Sequence, residues 1–284
     1  MTSYPPWNRI AIVGVGLIGG SIGLALQTRQ LADHVIGIGR SKSTLKKALE
    51  CGVVTEATTD LKTGVQQADL VIVCTPVSQI VPIVKQVATF CKENTLITDA
   101  GSTKAALVRE LGTTLQNQVR FLGSHPIAGS EASGPQAAMK DLFENRPVVI
   151  TPTEETVQQD VLHLKQFWQA LGCQTVELSP EEHDRILALT SHLPHFVASS
   201  LAATIQPDQL TLSGGGYRDT TRIAAGSPHL WTQIFLENRE ELINAIEQFR
   251  QQFDRIEKAL EASDSDQLFN FLSEAQQNRN AMGN

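Results

Sequence analysis

The sequence predicts an α/β domain with a mainly parallel sheet in residues 1–178, followed by an all-α domain in residues 179–284. Three observations predict this division. In the first part, short β-branched runs alternate with stretches of helical periodicity, as in parallel α/β sheets. After Leu178 the β-branched runs stop and helical periodicity dominates. The whole net charge of −7 falls in the second part, because the first part has fifteen basic and fifteen acidic residues.

Seven short runs in the first part predict strands, and several are apolar throughout, which is typical of parallel strands covered on both faces. They comprise residues 9–13, 35–38, 70–74, 96–98, 119–122, 148–151 and 175–178. The segments between them predict helices at residues 21–29, 43–50, 77–91, 104–116 and 155–171. In the last of these, apolar residues recur at spacings of three and four.

The second part begins with a helix-start signal, Ser179-Pro180-Glu181-Glu182. It combines a capping serine, a proline at the first helical position and acidic residues in the first turn. We therefore place the domain boundary at Ser179. An elongated helical part of this length cannot bury every apolar face within one chain, so we expect it to form a homodimer.

Composition argues against several other classes of protein. The chain of 284 residues has no apolar run of the roughly 18–20 residues that a membrane-spanning helix needs, and its first residues lack the segments of a signal peptide. Neither part has the basic excess of a nucleic-acid-binding surface. The four cysteines have no C-x-x-C spacing, which argues against zinc and a redox pair. We expect a cytoplasmic protein that contacts neither nucleic acid nor membrane.

A glycine motif, Gly14-Val15-Gly16-Leu17-Ile18-Gly19, follows the first predicted strand and precedes the first predicted helix. In this context G-x-G-x-x-G is typical of a dinucleotide-binding loop. Gly14 permits the tight turn, Gly16 lets the backbone approach a pyrophosphate, and Gly19 lets the helix pack on the strand. We expect the loop, with Leu17 and Ile18, to bind the phosphates at the start of the helix. The alternative is a glycine-rich turn without a ligand.

The end of the second predicted strand indicates which dinucleotide binds. NAD sites usually place Asp or Glu there, whereas this chain has Gly39-Arg40-Ser41-Lys42. Arg40 can pair with a 2′-phosphate through two hydrogen bonds, and Ser41 and Lys42 can add to that pairing. The sequence therefore favours NADP over NAD. The alternative is a solvated turn with two surface cations.

Ligands of open α/β sheets bind at the carboxyl ends of the strands, and three polar segments of this chain follow strands. Thr75 and Pro76 are expected beside the nicotinamide ribose, and residues 99–104 and 123–131 follow later strands. His125, predicted in a loop between glycines, is a candidate base because an imidazole that titrates near ~6.5 can accept a proton at neutral pH. The alternative is a loop histidine that caps a backbone group.

The helical part supplies further candidates. His192 and His195 are spaced i,i+3 and share a helix face with Asp184. A metal site there is conceivable, but the chain has no H-E-x-x-H motif and no nearby cysteine, so we expect no metal. Arg218 and Arg222 lie i,i+4 after three glycines, either in a binding site or in ordinary surface ion pairs.

Six segments together resemble the prephenate/arogenate dehydrogenase family of tyrosine biosynthesis: residues 14–21, 99–104, 123–131, 182–184, 191–195 and 217–224. The motifs S-H-L-P-H and R-D-T-T-R-I-A in the last two segments are much more specific than the glycine loop. The resemblance extends from about residue 9 to about residue 253. It implies a Rossmann-like domain followed by a helical dimerisation domain, with the active site between them.

The resemblance implies oxidative decarboxylation of arogenate or prephenate with hydride transfer to NADP. It implies catalytic roles for His125, which polarises the substrate hydroxyl, and for Ser102, which bonds both that hydroxyl and the histidine. It also implies that Arg222 holds a substrate carboxylate and that His195 contacts the substrate. The remaining substrate-binding candidates are His192, an ionic network of Asp184, Arg218 and Glu131 at the entrance, and Trp231 from the partner subunit.

Family members that use NAD carry an acidic residue after the second strand, and NADP use often accompanies arogenate use, which slightly favours arogenate here. Two other functions stay open. Another two-domain Rossmann enzyme, such as a β-hydroxyacid dehydrogenase or an imine reductase, would normally need a catalytic lysine in the helical part, whose one lysine is Lys258. A non-catalytic NADP-binding sensor would have no need of His125, Ser102 and Arg222.

Overall fold

The computed structural model describes residues 7–130 and 132–281. Its first part is built on a parallel sheet of six strands in the order β3-β2-β1-β4-β5-β6. The strands are β1 (Trp7–Val13), β2 (Ala32–Ile38), β3 (Glu56–Thr58), β4 (Leu70–Val73), β5 (Leu96–Asp99) and β6 (Arg120–Phe121). The strand order reverses between β1 and β4, and in such sheets dinucleotides bind at the carboxyl ends of the strands at this point. The predicted parallel sheet is confirmed.

Helices cover both faces of this sheet. They are α1 (Leu17–Thr28), α2 (Lys42–Glu50), α3 (Leu61–Val65), α4 (Val77–Ala88) and α5 (Ala105–Leu111). Strand β1 shows why two helical layers are needed, since alternate residues of a strand point to opposite faces. Ile10 and Ile12 pack in the core formed with α1 and α2, whereas Ala11 and Val13 pack in the core formed with α3, α4 and α5.

A second sheet of three strands completes the first part. It contains β7 (Gly123–Pro126), β8 (Pro147–Thr151) and β9 (Gln174–Glu177), and α6 (Gln158–Ala170) connects β8 to β9. Strand β7 pairs antiparallel with β8, and β8 pairs parallel with β9. The expectation that His125 lies in a loop is wrong, because His125 pairs with Val149 inside β7. Gly, Ser, His and Pro make no apolar run, so this strand forms through its partner and not through local pattern.

The second part is helical, as predicted, and its helices are α7 (Pro180–Leu187), α8 (Leu193–Thr204), α9 (Gly215–Thr221), α10 (Pro228–Glu237), α11 (Arg239–Glu261) and α12 (Ser265–Ala281). Short 3-10 turns comprise Gln116–Gln118, Pro135–Ala137, Pro207–Leu212 and Arg222–Ala225. The Ser179 hydroxyl caps α7 by accepting a hydrogen bond from the Glu182 N–H at 3.1 Å, which confirms the predicted helix start.

A π-helical turn, Ala188–His192, joins α7 to α8 in one continuous helix. Pro194 lies just after this turn and has no N–H to donate to the preceding turn, so a regular α-helical ladder cannot continue through it. A π turn adds one residue and changes the angular position of the side chains that follow, which is why such turns are frequent at functional sites. This turn sets the positions of His192 and His195.

The continuous helix Pro180–Thr204 is long and apolar enough, by length and composition, to cross a membrane. A helix inside a folded protein passes the same test, and this one carries His183, Asp184, His192 and His195, all at most 4% exposed. We therefore interpret it as a helix of the folded chain. The expectation that the chain contacts no membrane stays a prediction.

Large apolar side chains remain exposed along the helical part. Among the described residues they include Leu201, Leu210, Leu212, Leu230, Leu236, Ile243, Phe249, Phe253, Leu260, Phe269 and Leu272. Apolar surface of this extent is typical of an interaction face, and it agrees with the expectation that this part associates with a second copy.

Candidate active site

The loop between β1 and α1 has the geometry that close backbone approach requires. Gly14 has a φ of +99°, and a Cβ there would lie 2.6 Å from the Cys74 carbonyl oxygen, so glycine is needed on both grounds. A Cβ at Gly19 would collide with the Gly14 carbonyl oxygen. At Gly16, in contrast, a Cβ would meet nothing within 4 Å. The backbone at Gly16 therefore borders open space at the N-terminal end of α1, where the helix dipole favours an anion.

A cavity of about 600 Å³ lies beside this loop. The carboxyl ends of the central strands and residues of α3 and α4 line it: Val13, Gly14, Ile38, Gly39, Arg40, Thr59, Asp60, Leu61, Lys62, Cys74, Thr75, Pro76, Gln79, Ile83, Gln86 and Phe90. The Thr75 hydroxyl is buried without a hydrogen-bond partner among the described residues, so it is free to bond a ligand. The predicted Leu17 and Ile18 are the first two residues of α1. These features fit a bound dinucleotide.

The cations at this cavity differ from the prediction. Arg40 lines it, but Lys42 is the exposed first residue of α2 and does not. Ser41 is also outside the lining. Its hydroxyl caps α2 instead, by accepting a hydrogen bond from the Thr44 N–H at 3.2 Å. Lys62, in α3, lines the cavity instead. Sequence reasoning missed Lys62 because it belongs to a five-residue helix that follows a different strand.

His125 is positioned by a chain of hydrogen bonds to α7. Its Nδ1 atom lies 2.9 Å from Nε2 of His183, and the Nδ1 atom of His183 lies 2.7 Å from Oδ1 of Asp184. His125 is half-buried, whereas His183 is fully buried. The chain of contacts joins β7 of the first part to α7 of the second. His183 lies in the sequence segment 182–184, but its spacing alone predicts no role for it.

Asp184 is held at the start of α5, and its expected place in an ionic network at the entrance stays a prediction. Its side chain is buried, with 3% of the residue exposed, and its two oxygens accept hydrogen bonds from the Lys104 and Ala105 backbone N–H groups at 2.8 and 2.9 Å. These N–H groups lie at the start of α5 and have no acceptor inside that helix. Asp184 therefore caps α5 and orients His183.

The histidines of this cluster are neutral near pH 7. Burial, followed by the nearby charges of His183, Lys104 and His192, lowers the pKa of His125 well below its ordinary value. Burial also lowers the pKa of His183, although Asp184 partly opposes the shift. Burial raises the pKa of Asp184, but its hydrogen bonds from His183 and the backbone outweigh that effect and leave the pKa below normal. Asp184 is thus ionised beside two neutral imidazoles.

A buried ion pair lies next to His125 in the fold. Lys104 and Asp99 are both fully buried, and Lys104 Nζ lies 2.5 Å from Asp99 Oδ2. Asp99 also accepts a hydrogen bond from the Ser124 N–H at 3.2 Å, which ties the end of β5 to β7. Removing one member of such a pair leaves a buried uncompensated charge, so Asp99 and Lys104 stay paired. Through its bond to Ser124, Asp99 holds β7, the strand that carries His125.

The other two predicted histidines are buried in the helical part. His192 Nδ1 lies 3.1 Å from Asn238 Nδ2, and that amide also donates to the Asp184 carbonyl oxygen at 2.8 Å. The imidazole of His195 stacks on the indole of Trp231, with ring centroids 3.6 Å apart, and its Nδ1 atom is buried without a hydrogen-bond partner among the described residues. Trp231 was expected to enter from a partner subunit, but it contacts His195 of its own chain.

The remaining predicted residues are more exposed. Ser102 is partly exposed after β5, and among the described residues it makes no hydrogen bond to His125, whose Nδ1 atom pairs with His183 instead. The predicted Ser102–His125 bond is therefore absent from this structure. Arg218 in α9 and Arg222 at the start of the following 3-10 turn are exposed, and both segments pack against α8. Glu131 lies outside the described residues.

The doubly wound sheet, the glycine loop with its cavity and the half-buried, neutral His125 define a two-domain dehydrogenase that uses a nicotinamide dinucleotide. Two family models match the chain: the nucleotide-binding domain of prephenate dehydrogenase over residues 22–177 and the dimerization domain of prephenate dehydrogenase over residues 179–274. The chain belongs to the prephenate dehydrogenase family.

Individual relatives agree with this assignment. Prephenate dehydrogenase of Bacillus subtilis (strain 168) is 36% identical over 97% of this chain and 76% of its own length. The crystal structure of prephenate dehydrogenase from A. aeolicus in complex with hydroxyphenyl propionate and NAD+ has a TM-score of 0.91 and 32% identity, and covers 99% of this chain and 100% of its own. Synechocystis arogenate dehydrogenase has a TM-score of 0.82 and 30% identity, covering 96% and 99% of the two chains.

Proposed function

We propose that this protein catalyses the oxidative decarboxylation of arogenate or prephenate in tyrosine biosynthesis. In this reaction the ring carbon that bears the hydroxyl loses a hydride to the nicotinamide, the hydroxyl loses its proton and the ring carboxylate leaves as carbon dioxide. Aromatisation of the ring supplies the driving force, so the protein has to orient the two reactants and accept one proton. The observation that carries the proposal is the hydrogen-bond chain from His125 through His183 to Asp184, which leaves one nitrogen of His125 for the substrate.

Residues of both parts of the chain would take part in binding and in proton transfer. The glycine loop and the cavity beside it bind the dinucleotide, which supplies the hydride acceptor. His125 bonds the substrate hydroxyl and accepts its proton, and Ser102 bonds the same hydroxyl. Arg222 binds a substrate carboxylate, and His195 and Trp231 contribute polar and aromatic surface. We also propose a cytoplasmic location, since all four cysteines are free thiols.

The initial rate of NADPH formation, measured with prephenate and arogenate separately, tests this function. Turnover of either compound supports the chemistry, and the ratio of the two rates identifies the substrate. We expect arogenate to be preferred. Tight NADP binding without turnover of either compound would contradict the catalytic proposal and favour a cofactor-binding sensor.

We propose NADP as the preferred cofactor. The cavity presents two cations, Arg40 and Lys62, and no acidic residue directly follows β2. Asp60 also lines the cavity, but its carboxylate oxygens are already occupied by the Lys62 and Thr63 N–H groups at the start of α3. Arg40 and Lys62 would therefore meet a 2′-phosphate.

Replacing Arg40 or Lys62 with alanine is expected to raise the KM for NADP by about 10–100-fold, because each change removes a charge-assisted contact worth roughly 1.5–3 kcal/mol. The KM for NAD should change much less. Initial rates with the two cofactors measure this. Lys42→Ala is the matched control, since Lys42 lies outside the cavity. A preference for NAD in the parent protein would refute the assignment.

The Arg222→Gln variant is expected to raise the KM for the cyclohexadienol substrate by about 10–100-fold, through loss of a charge-assisted pair with a carboxylate, with a smaller effect on kcat. Steady-state kinetics at saturating NADP separate the two parameters. Arg218→Gln, one helical turn away, is the comparison variant, since Arg218 is the other candidate for this role. An effect confined to Arg218→Gln would move the carboxylate-binding role to Arg218.

We propose that the chain forms a homodimer through its helical part, whose exposed apolar residues include Leu236 and Phe253. Sedimentation velocity is expected to give about twice the chain mass of 30.9 kDa. A species of single-chain mass at micromolar concentration would refute the dimer.

A further inference from the structure

His125, His183 and Asp184 form a line of hydrogen-bonding groups with a defined direction. Asp184 accepts hydrogen bonds from two backbone N–H groups of the α5 start and, as a carboxylate, has only acceptor atoms. The Nδ1 atom of His183, 2.7 Å from Asp184 Oδ1, must therefore carry the proton and donate it. A neutral imidazole has one proton, so the Nε2 atom of His183 is left as an acceptor.

The protonation of His125 follows from that of His183. Its Nδ1 atom lies 2.9 Å from the Nε2 atom of His183. Because that Nε2 atom has a lone pair and no proton, His125 must donate through Nδ1. The second nitrogen of His125, Nε2, is then unprotonated and can accept a proton. The opposite tautomer of His125 would set two lone pairs against each other at 2.9 Å.

We propose that His183 and Asp184 are positioning residues that hold His125 in the tautomer whose Nε2 atom accepts a proton. The inference deepens the function proposed above and rests on it for its role in catalysis, although the tautomer itself can be measured without substrate. Contact between the two parts of the chain is then needed for the tautomer of His125. His183 and Asp184 belong to α7, so His125 acquires this tautomer only where α7 packs against the sheet.

The other ionisable groups around His125 are consistent with this arrangement. Lys104 lies close enough for its charge to oppose protonation of His125, and its ammonium is paired with Asp99. His192 also opposes protonation of His125, and its Nδ1 atom faces the Asn238 amide. Among these groups, His183 is the one that contacts the Nδ1 atom of His125.

Three substitutions separate the positioning role from general packing. His183→Leu removes both nitrogens. His183→Gln supplies an amide oxygen that can accept from His125 and an amide N–H that can donate to Asp184, so it should preserve the tautomer. His163→Leu, at an exposed histidine of α6, is the matched control for the loss of an imidazole.

The decisive measurement is NMR of the full-length protein with 15N-labelled histidine, in which the nitrogen shifts distinguish protonated from unprotonated ring atoms. The His125 signals are identified by their absence from His125→Asn. We expect protonated Nδ1 and unprotonated Nε2 in the parent, His183→Gln and His163→Leu proteins, and a mixture of tautomers in His183→Leu. An Nε2-protonated His125 in the parent would overturn the proposal, even if His183→Leu fails to fold. So would an unchanged tautomer in a folded His183→Leu.

Kinetics provide the second readout. We expect His183→Leu to lower kcat by about 10–100-fold with little change in the KM for NADP, and His183→Gln to recover most of the loss. Equal loss in both variants would contradict the positioning role. If the parent turns over neither substrate, the proposed function fails, yet the NMR result still decides whether His183 fixes the tautomer.

Discussion

Replacing His125 with asparagine is expected to lower kcat by about 10²–10⁴-fold, the usual contribution of a positioned general base. Asparagine keeps a polar side chain in β7 but has no nitrogen that accepts a proton near neutral pH. The dissociation constant for NADP should remain nearly unchanged, because His125 does not line the cofactor cavity. Steady-state rates and a cofactor titration on the same preparation measure both quantities.

His163→Asn is the matched control, because His163 is an exposed histidine on α6. Thermal unfolding of both variants shows whether a loss of rate reflects a loss of folded protein. Equal turnover in the His125→Asn and parent proteins would remove His125 from the mechanism. A large loss of NADP affinity would instead make it a cofactor-binding residue.

The pH dependence of kcat/KM should also reflect the role of His125 as a base. The catalytic form of His125 is unprotonated, and its environment lowers its pKa. Activity is therefore expected to persist below the pH of about 6.5 at which an ordinary imidazole becomes protonated. The lowered pKa makes His125 a weak base in the free protein, which suits a reaction whose driving force comes from aromatisation rather than from the base.

The parallel sheet could be predicted from the sequence because its strands carry their own signal. Ile10 and Ile12 on one face of β1, and Ala11 and Val13 on the other, are apolar because both faces are covered. Strand β7 has no such apolar pattern. His125 lies in a strand because β7 pairs with β8. The identity of His125 as a candidate could be predicted, but its backbone conformation depends on a partner strand about 20 residues later.

The contacts of the site were harder to predict than its members. Asp184 and His183 are adjacent in sequence, and their roles depend on which element packs against α7. The start of α5 supplies the N–H groups that hold Asp184, and β7 supplies His125. Likewise, Lys62 reaches the cofactor cavity only because α3 lies beside the end of β2. These contacts join residues that are far apart in the sequence, so local periodicity and motif spacing do not predict them.

The buried neutral histidines have a consequence for stability that can be measured separately from activity. Burial lowers the pKa of His192 to about 4, with Asp184 partly opposing that shift, whereas an unfolded histidine titrates near 6.5. The unfolded chain therefore binds protons more strongly than the folded protein below pH 6.5. The free energy of unfolding therefore falls as the pH drops from 6.5 towards 4.

His192 alone should reduce the free energy of unfolding by about 2 kcal/mol between pH 7.5 and pH 5, and by roughly 3 kcal/mol once the pH is below 4. His125 and His183, whose pKa values are also lowered, act in the same direction. Since folded proteins are commonly stable by only about 5–15 kcal/mol, this cluster makes the fold acid-sensitive. Urea titrations at both pH values and one protein concentration measure the loss.

His192→Asn isolates the contribution of His192. The asparagine oxygen can accept the hydrogen bond from the Asn238 amide that His192 Nδ1 accepts in the parent, but it does not titrate. The variant should therefore lose about 2 kcal/mol less than the parent between pH 7.5 and pH 5, and His163→Asn should behave like the parent. Equal losses in the parent and His192→Asn would mean that His192 is not held neutral. Carboxylates that titrate over the same interval affect all three proteins alike, so the difference between variants reports on the histidine.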